Sequence, residues 1–546
     1  MKNVVLISDF LSSEILGAGG AQLYNEELVK ILSDSCNITF FKSKEMNIEI
    51  LASRKDSFFI VSNFMLLGEI EKKFIQENLK YCILEHDHKY CSTNNPALFK
   101  DFVIPENFIV NKNFYKKAYA VLCQSSYHSK ILEKNLFLNN IVNLSCNLWS
   151  EREINILKKL INTKKEYKHS IFNTTNKNKG TEKARNFCLK NNLKFHEINH
   201  LSQEDFLEEI AKSENIIFFP TWIETFSRVA VEARILNCKL ILNNFVGAMH
   251  EPFFSKKGLE LLEYIISQRE IIKKLYLKII EQDLQKEDFF CSFEKPKVSI
   301  ITTFYNSKKY IKNFMESIVK QTYFNNTEFI IIDAASSEDE YSIIKEYLTN
   351  NIKYIRLEEK KNIPECFNLA IKQATSDYIG FACVDDYMSE DHVEVLVKHL
   401  FNNPDTDLTY GDCLQTNKEN ETIMRNSSFG NLYEHSLADF SAENMVKCLP
   451  GPMPLFTKKM IEKNGFFEEK LKYANDWEFW LRCVNNGSKF KKVNFISGLY
   501  YNNPNGMSTS GKYSIDRRLE EKEVFNKYKN ILGRNYERFK DYFNSI

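Results

Sequence analysis

The apolar positions of this chain fall into short, continuous runs separated by amphipathic stretches. VVLIS at 4–8, ITFF at 38–41, FFIVS at 58–62, YCILE at 81–85 and YAVLCQS at 119–125 read as strands covered on both faces. Between the first two runs, residues 21–32 keep their apolar side chains on one helical face. A second series follows a helical stretch at 151–168: HSIFN at 169–173, KFHEI at 194–198, NIIFFP at 215–220 and KLILNN at 239–244. Such alternation predicts two α/β units with mostly parallel sheets. A charged helical pattern then fills 260–287, and KVSIITTFYN restarts the series as a fresh first strand. The expected domains are residues 1–165, residues 166–285, a linker at 286–296, and residues 297–546.

The third series carries the clearest chemistry. VSIITTFYN at 298–306 precedes a helix at 308–321, and EFIIIDAASSEDE at 328–340 is a strand ending on Asp333. The helix NIPECFNLAIKQA at 362–374 leads to the strand YIGFACV, from whose end Asp385 and Asp386 emerge. In an open parallel sheet, ligands gather at the C-terminal ends of strands. Two adjacent carboxylates there repel unless a cation or hydrogen bonds stabilise them. Oxygen ligands suit Mg²⁺ or Mn²⁺ bridging to phosphates. Taken singly, each residue has a plainer reading. A strand-end Asp caps turns, a DD pair is commonly a turn, and Asp476 in YANDWEFWLR is a helix cap as readily as a base.

The order of these motifs resembles family 2 glycosyltransferases with the GT-A fold, over about 297–505. The matching elements are the first strand, IIIDAASSEDE, the DXD-like Val384–Asp385–Asp386, and Asn475–Asp476–Trp477 with Arg482. The resemblance implies that Thr303, Tyr305 and Asp333 contact the nucleoside of a UDP- or GDP-sugar. It implies that Asp386, with Asp385 beside it, holds Mn²⁺ or Mg²⁺ and the diphosphate. Asp476 would deprotonate an acceptor hydroxyl on a glycan or lipid-linked glycan, with inversion. Two departures are visible. Ala334 and Ala335 stand where relatives carry Asp or Gly, and YYNNPNGMSTS at 500–510 offers Asn where relatives place a metal-ligating His. A nucleotidyltransferase would need a glycine-rich loop near the first strand end, which ITTFYNSKK lacks.

The first half carries a second constellation. Gly17, Gly19 and Gly20 open the helix beginning near Ala21, and a glycine-preceded helix N-terminus favours phosphate. The glycine spacing is not that of a dinucleotide fingerprint. In NIIFFPTWIETFSRVAVEARILNCKLILNNFVGAMHE, Glu224 and Glu232 lie eight apart. This context resembles the EX7E motif of family 4 glycosyltransferases with the GT-B fold. NKNKGTEKA at 176–184 resembles the basic motif that precedes it, although Thr174 replaces the family's Arg. The resemblance implies that Glu232 binds the donor ribose, that Lys179 with Lys177 binds the diphosphate, and that Glu224 approaches the sugar. His86 or His88 would stand at a donor-site position; two His around one Asp do not make a metal site without a further cluster. The fold class expected is therefore α/β, a GT-B-like pair of Rossmann-like units followed by a GT-A domain. Two readings stay open for the first half: a second transferase, or a module that binds acceptor or partner.

Composition changes this picture little. A net charge of +1 over 546 residues gives no global field for nucleic acid. The 13 cysteines contain no CxxC pair and read as reduced thiols in a cytosolic protein. MKNVVLISDF reads as a first strand, not a signal peptide, and no run reaches the ~18 apolar residues of a membrane span. A cytoplasmic location follows as the expectation, with work at the inner face of the cell membrane implied by the resemblance to enzymes of capsule or lipopolysaccharide assembly. The basic, aromatic KYKNILGRNYERFKDYF reads either as a helix lying on a membrane surface or as a solvated terminal helix.

Overall fold

A computed structural model of the chain describes residues 1–10, 19–199, 202–428, 430–431, 440–446, 448–507 and 514–545. The chain forms two compact units, one of Met1–Ile104 with Phe108–Phe293 and one of Pro105–Asn107 with Glu294–Ile546. Gly17 lies outside the described residues.

The N-terminal unit contains two parallel sheets. The first has β1 (Lys2–Ser8), β2 (Cys36–Lys42), β3 (Phe58–Val61), β4 (Lys80–Leu84), β5 (Ala120–Cys123) and β6 (Ile141–Asn143), in the order β2-β1-β3-β4-β5-β6. The second has β7 (Tyr167–Phe172), β8 (His196–Ile198), β9 (Ser213–Phe218) and β10 (Lys239–Leu242), in the order β10-β9-β7-β8. The central runs of the first sheet form strands because both of their faces are covered: Val4 to Ile7 and Phe58 to Val61 are all buried. β6 was not among the expected strands, since three residues carry too little pattern. The helix expected at 151–168 stops at Leu160, because Tyr167 onward pairs with β9 and β8. The helix Gly258–Glu281 packs back against the first sheet's helix Gly20–Leu32, where the Tyr24 and Tyr276 hydroxyls lie 3.3 Å apart.

The C-terminal unit is built on one mixed sheet. β11 (Val298–Phe304), β12 (Thr327–Asp333), β13 (Ile352–Arg356) and β14 (Tyr378–Phe381) are parallel, with β11 between β12 and β14. The sheet then continues through β15 (Tyr387–Met388), β16 (Leu408–Thr416), β17 (Gly430–Asn431), β18 (Leu455–Thr457) and β19 (Phe490–Tyr501). β18 is antiparallel to β14 and to β16; β19 joins β16 in parallel, and β15 is antiparallel to β19. The strand expected through Val384 ends at Phe381, so the acid pair follows in a turn.

The terminal basic, aromatic stretch is a terminal helix with one face toward solvent, as the second of its two readings expects. It forms the helix Lys529–Asn544, whose Phe543 stacks on Trp477 and on Phe525, while Leu532 is fully buried. Tyr536, Phe539 and Phe543 are half-buried, while Tyr542 is 59% exposed. No described helix is long and apolar enough to cross a membrane.

One glycine sets the basic loop of the N-terminal unit. Gly180 has φ +69, and a Cβ there would stand 1.8 Å from the Phe219 carbonyl oxygen. Neither the conformation nor the space admits a side chain. Gly180→Ala is expected to destabilise the N-terminal unit by at least ~2 kcal/mol, read from urea unfolding of the full chain. An unchanged midpoint would show that the loop relaxes freely.

Candidate active site

The sheet of the C-terminal unit reverses strand order at β11, so the strand ends there open a crevice. β14 stops at Phe381, and Asp386 N–H donates to the Cys383 carbonyl at 3.3 Å, closing a turn. Along a strand, alternate side chains would point to opposite faces. The turn instead gathers ligand atoms of Cys383, Asp385 and Asp386 within 4.8 Å of one another. Among the described residues this is the only His, Cys, Asp and Glu grouping of that kind.

Two groups at and just beyond the end of β19 bond the pair. Tyr501 N–H donates to Asp386 Oδ1 at 2.9 Å, and Asn503 Nδ2 donates to Asp385 Oδ2 at 2.9 Å. The loop expected to offer Asn in place of a metal-ligating His thus places that Asn on the first carboxylate. Asp386 is 4% exposed. Burial, reinforced by the neighbouring Asp385 charge, pushes its carboxyl well above the usual range. Burial and then the charges of Asp386, Asp385 and Asp476 push the Cys383 thiol well above its ordinary value.

Asp476 therefore shares a field with the acid pair. It sits in the first turn of the helix Asn475–Asn485, not at its cap, which is Ala474. Its Oδ1 accepts from Trp477 N–H at 2.7 Å, and Cys448 Sγ lies 3.5 Å from Oδ2. Burial raises its carboxyl above the ordinary value. Two clamps hold this helix. Glu520 accepts from the N–H groups of Lys472, Tyr473 and Ala474 at 2.9, 2.7 and 3.0 Å. Glu478 binds Arg482, Lys527 and Tyr528. Arg482, part of the motif, is spent on Glu478 and on the Phe466 carbonyl.

Asp333 lies at the end of β12 but is fully buried. Its Oδ1 accepts from Ser336 N–H at 2.8 Å, and its Oδ2 accepts from Tyr354 at 2.6 Å and Arg356 at 2.8 Å. Near it, Arg356 is about half exposed, and Tyr305 is 40% exposed with Lys360 Nζ 3.5 Å above its ring centroid. Thr303 is partly exposed on β11. Tyr354 and Arg356 were missed because β13 alternates polar and apolar residues and carries no motif.

In the N-terminal unit, Lys179 Nζ donates to Glu224 Oε1 at 2.8 Å, so these two candidates meet directly. Glu232 is 8% exposed and accepts from Trp149 Nε1 at 2.9 Å, with Arg228 3.6 Å away. Burial is the main cause of its raised proton affinity. Gly19 caps the helix Gly20–Leu32, and a Cβ on Gly20 would touch the Arg228 side chain at 3.4 Å. Ser227, just before the helix Arg228–Ile235, is held at φ 76 with a buried Oγ that has no partner among the described residues. Lys177 opens the short turn that ends at Lys179. His86 and His88 are buried, and burial lowers them to about 4 and about 3, so both are neutral. A third imidazole, His128, lies with its ring centroid 4.8 Å from that of His88.

Residues 299–465 match the family described as Glycosyl transferase family 2. An uncharacterized glycosyltransferase of Methanocaldococcus jannaschii is 28% identical over 200 residues, covering 36% of this chain and 68% of the relative. Chondroitin synthase of Pasteurella multocida is 26% identical over 241 residues, covering 42% of this chain. The chain spans only 24% of that synthase and 19% of the glycosyltransferase GlyA of Streptococcus pneumoniae. Among solved structures, Staphylococcus aureus TarS 1–349 in complex with UDP-GlcNAc is 19% identical with a TM-score of 0.37, covering 44% of this chain and 72% of that one. Mannosyltransferase PcManGT from Pyrobaculum calidifontis, in complex with GDP-Man and Mn²⁺, is 18% identical with a TM-score of 0.36, covering 45% and 70%. Over residues 299–465 the C-terminal unit is thus similar to glycosyl transferase family 2.

The buried acid pair yields a stability prediction. A carboxyl raised in the folded state favours folding below the unfolded value near 3.8 and loses that contribution as pH rises. Asp386→Asn is therefore expected to raise the melting temperature of the ion-free protein at neutral pH, by about 2–4 °C. The difference should shrink as pH falls through the carboxylate range. Equal melting at all pH values would show that Asp386 carries no unfavourable charge.

Proposed function

We propose that the C-terminal unit transfers a sugar from a UDP- or GDP-sugar to a hydroxyl of a growing glycan, with inversion. The observation that carries this reading is that the charges of Asp386, Asp385 and Asp476 all act on one group, the Cys383 thiol, with the acid pair inside the segment 299–465 that matches the family 2 model. Two carboxylates beside each other, one of them buried, suit a hard divalent ion, Mn²⁺ or Mg²⁺. Asp386 and Asp385 hold that ion. When bound, it neutralises charge on the departing nucleoside diphosphate. Arg356 and Tyr305 flank the nucleoside beside Thr303, and Asp333 fixes Arg356. Asp476 takes the proton of the acceptor hydroxyl as the new C–O bond forms and the bond to the diphosphate breaks. Its raised proton affinity brings it closer to the working pH than an ordinary Asp. Relatives that are chondroitin and hyaluronan synthases support a polysaccharide context. Capsule or lipopolysaccharide assembly at the cytoplasmic membrane face fits that chemistry.

The N-terminal unit is read as a second, GT-B-like donor site. Its support is the meeting of Lys179 with Glu224, and the approach of two helix N-termini, at Gly19–Gly20 and at Ser227, around Arg228. Such termini favour a diphosphate. Glu232 would serve the ribose, with His86 or His88 near the sugar. One observation favours the alternative of an acceptor- or partner-binding module. Glu232 is already engaged by Trp149 and Arg228.

Asp476→Asn is expected to lower kcat for sugar transfer by roughly 10²–10⁴-fold while donor affinity stays unchanged. A kcat near that of the parent protein would remove Asp476 as the base. In a screen of nucleotide sugars, Asp386→Ala should abolish the metal-dependent hydrolysis. If the N-terminal unit is active, a second donor should still be hydrolysed by Asp386→Ala and lost in Glu224→Ala. If Asp386→Ala abolishes all turnover, the binding-module reading holds.

A further inference from the structure

Asp476 keeps part of its surface open, and burial of the rest raises its proton affinity. Two donors meet it among the described residues. Trp477 N–H donates to Oδ1 at 2.7 Å, and the Cys448 thiol donates to Oδ2, with Sγ 3.5 Å away. Cys448 is thus the one side chain that bonds this carboxylate, from 28 residues earlier in the chain. The segment that carries it is anchored on both sides. Trp477 Nε1 donates to the Met445 carbonyl, and Gly451 N–H donates to the Cys448 carbonyl at 3.0 Å. Burial and then the Asp476 charge push the Cys448 thiol well above its ordinary value, so it keeps its proton and acts as a donor.

We propose that Cys448 is a positioning residue for the base, its S–H fixing Asp476 Oδ2. This deepens the reading of Asp476 as the base and rests on it. A carboxylate drawn out of water is pulled toward its neutral form, and a neutral acid takes no proton from an acceptor hydroxyl. A second donor offsets that pull. A thiol is a weak donor, so the offset is partial and the oxygen stays basic. In the transfer, the hydroxyl proton passes to Asp476 as the hydroxyl oxygen forms the new C–O bond. The thiol stays protonated throughout. Two other titratable groups share the field of Asp476. They are Cys383, on the turn after β14, and Glu521, on the helix Ser514–Lys527, with Arg517 3.6 Å away. Neither bonds Asp476.

Turnover of UDP-glucose, UDP-N-acetylglucosamine and GDP-mannose by the full chain, at one fixed Mn²⁺ concentration, gives the pH profile of kcat. Without the thiol, Asp476 ionises at higher pH. Cys448→Ala should therefore move the acid limb of the profile up by about 0.5–1 pH unit. On that limb kcat should fall about three- to tenfold, while donor KM and the plateau rate stay near those of the parent protein. Cys448→Ser keeps a donor on the same carbon and should return the limb to the parent position or below it. A packing defect would instead lower kcat at every pH. A limb that stays in place in Cys448→Ala, or moves as far in Cys448→Ser, overturns the proposal. Melting gives a readout that needs no donor. At neutral pH, Cys448→Ala should cost about 2–4 °C more in the parent protein than in Asp476→Asn. Equal costs also overturn it. If Asp476→Asn turns over donor as fast as the parent protein, or the parent turns over none of the three, the base reading itself falls. If Asp476→Asn is slow and the Cys448→Ala limb stays in place, only the role of Cys448 falls.

Discussion

A carboxylate taken out of water beside a second carboxylate is unfavourable unless donors or a cation meet it. The C-terminal unit is organised around one such case. Asp386 is buried, Asp385 adjoins it, and the protein supplies one backbone N–H and one amide to the two groups. Both donors come from the end of β19, more than a hundred residues later in the chain. That end can reach the turn only because β19 pairs with β15, which follows the acid pair directly. The antiparallel half of the sheet therefore completes a site that the parallel half begins.

The acid that faces this pair is held by different means. Asp476 stands at the start of a helix whose entry loop is fixed by three N–H bonds to Glu520. The next turn of the helix is fixed through Glu478 by Arg482, Lys527 and Tyr528. The terminal helix adds Phe543 against Trp477. These contacts fix the start of the helix, and with it Asp476, in place. Phe543 of the terminal stretch belongs to this support, while Tyr542 stays exposed.

In the N-terminal unit the same rule produces another outcome. Arg228 is buried between Glu153 and Glu232, and its guanidinium also lies over the Trp149 ring. A buried guanidinium with two carboxylates is a self-satisfied cluster. Glu224 and Lys179, nearer to solvent, form a pair that a ligand can enter by exchange.

Strand and helix order was legible in the chain because fully covered strands are continuous apolar runs, and VVLIS, FFIVS and EFIIID are such runs. β13 and the strands after Asp386 were not legible, since half-exposed strands mix polar and apolar residues and their register is set by partners far away. Among candidate residues, Asp385, Asp386 and Asp476 could be named from motif order. That Asp333 is buried behind Arg356, that Asn503 meets Asp385, and that Cys383 joins the acid pair could not. By itself the sequence determined the parallel sheets, the positions of their strand ends and the acids that those ends carry, because hydrophobic period and motif order are local. Only the tertiary structure decided which acids face solvent, which are already satisfied and which share a charge field. Burial and hydrogen bonding join residues that the chain holds far apart.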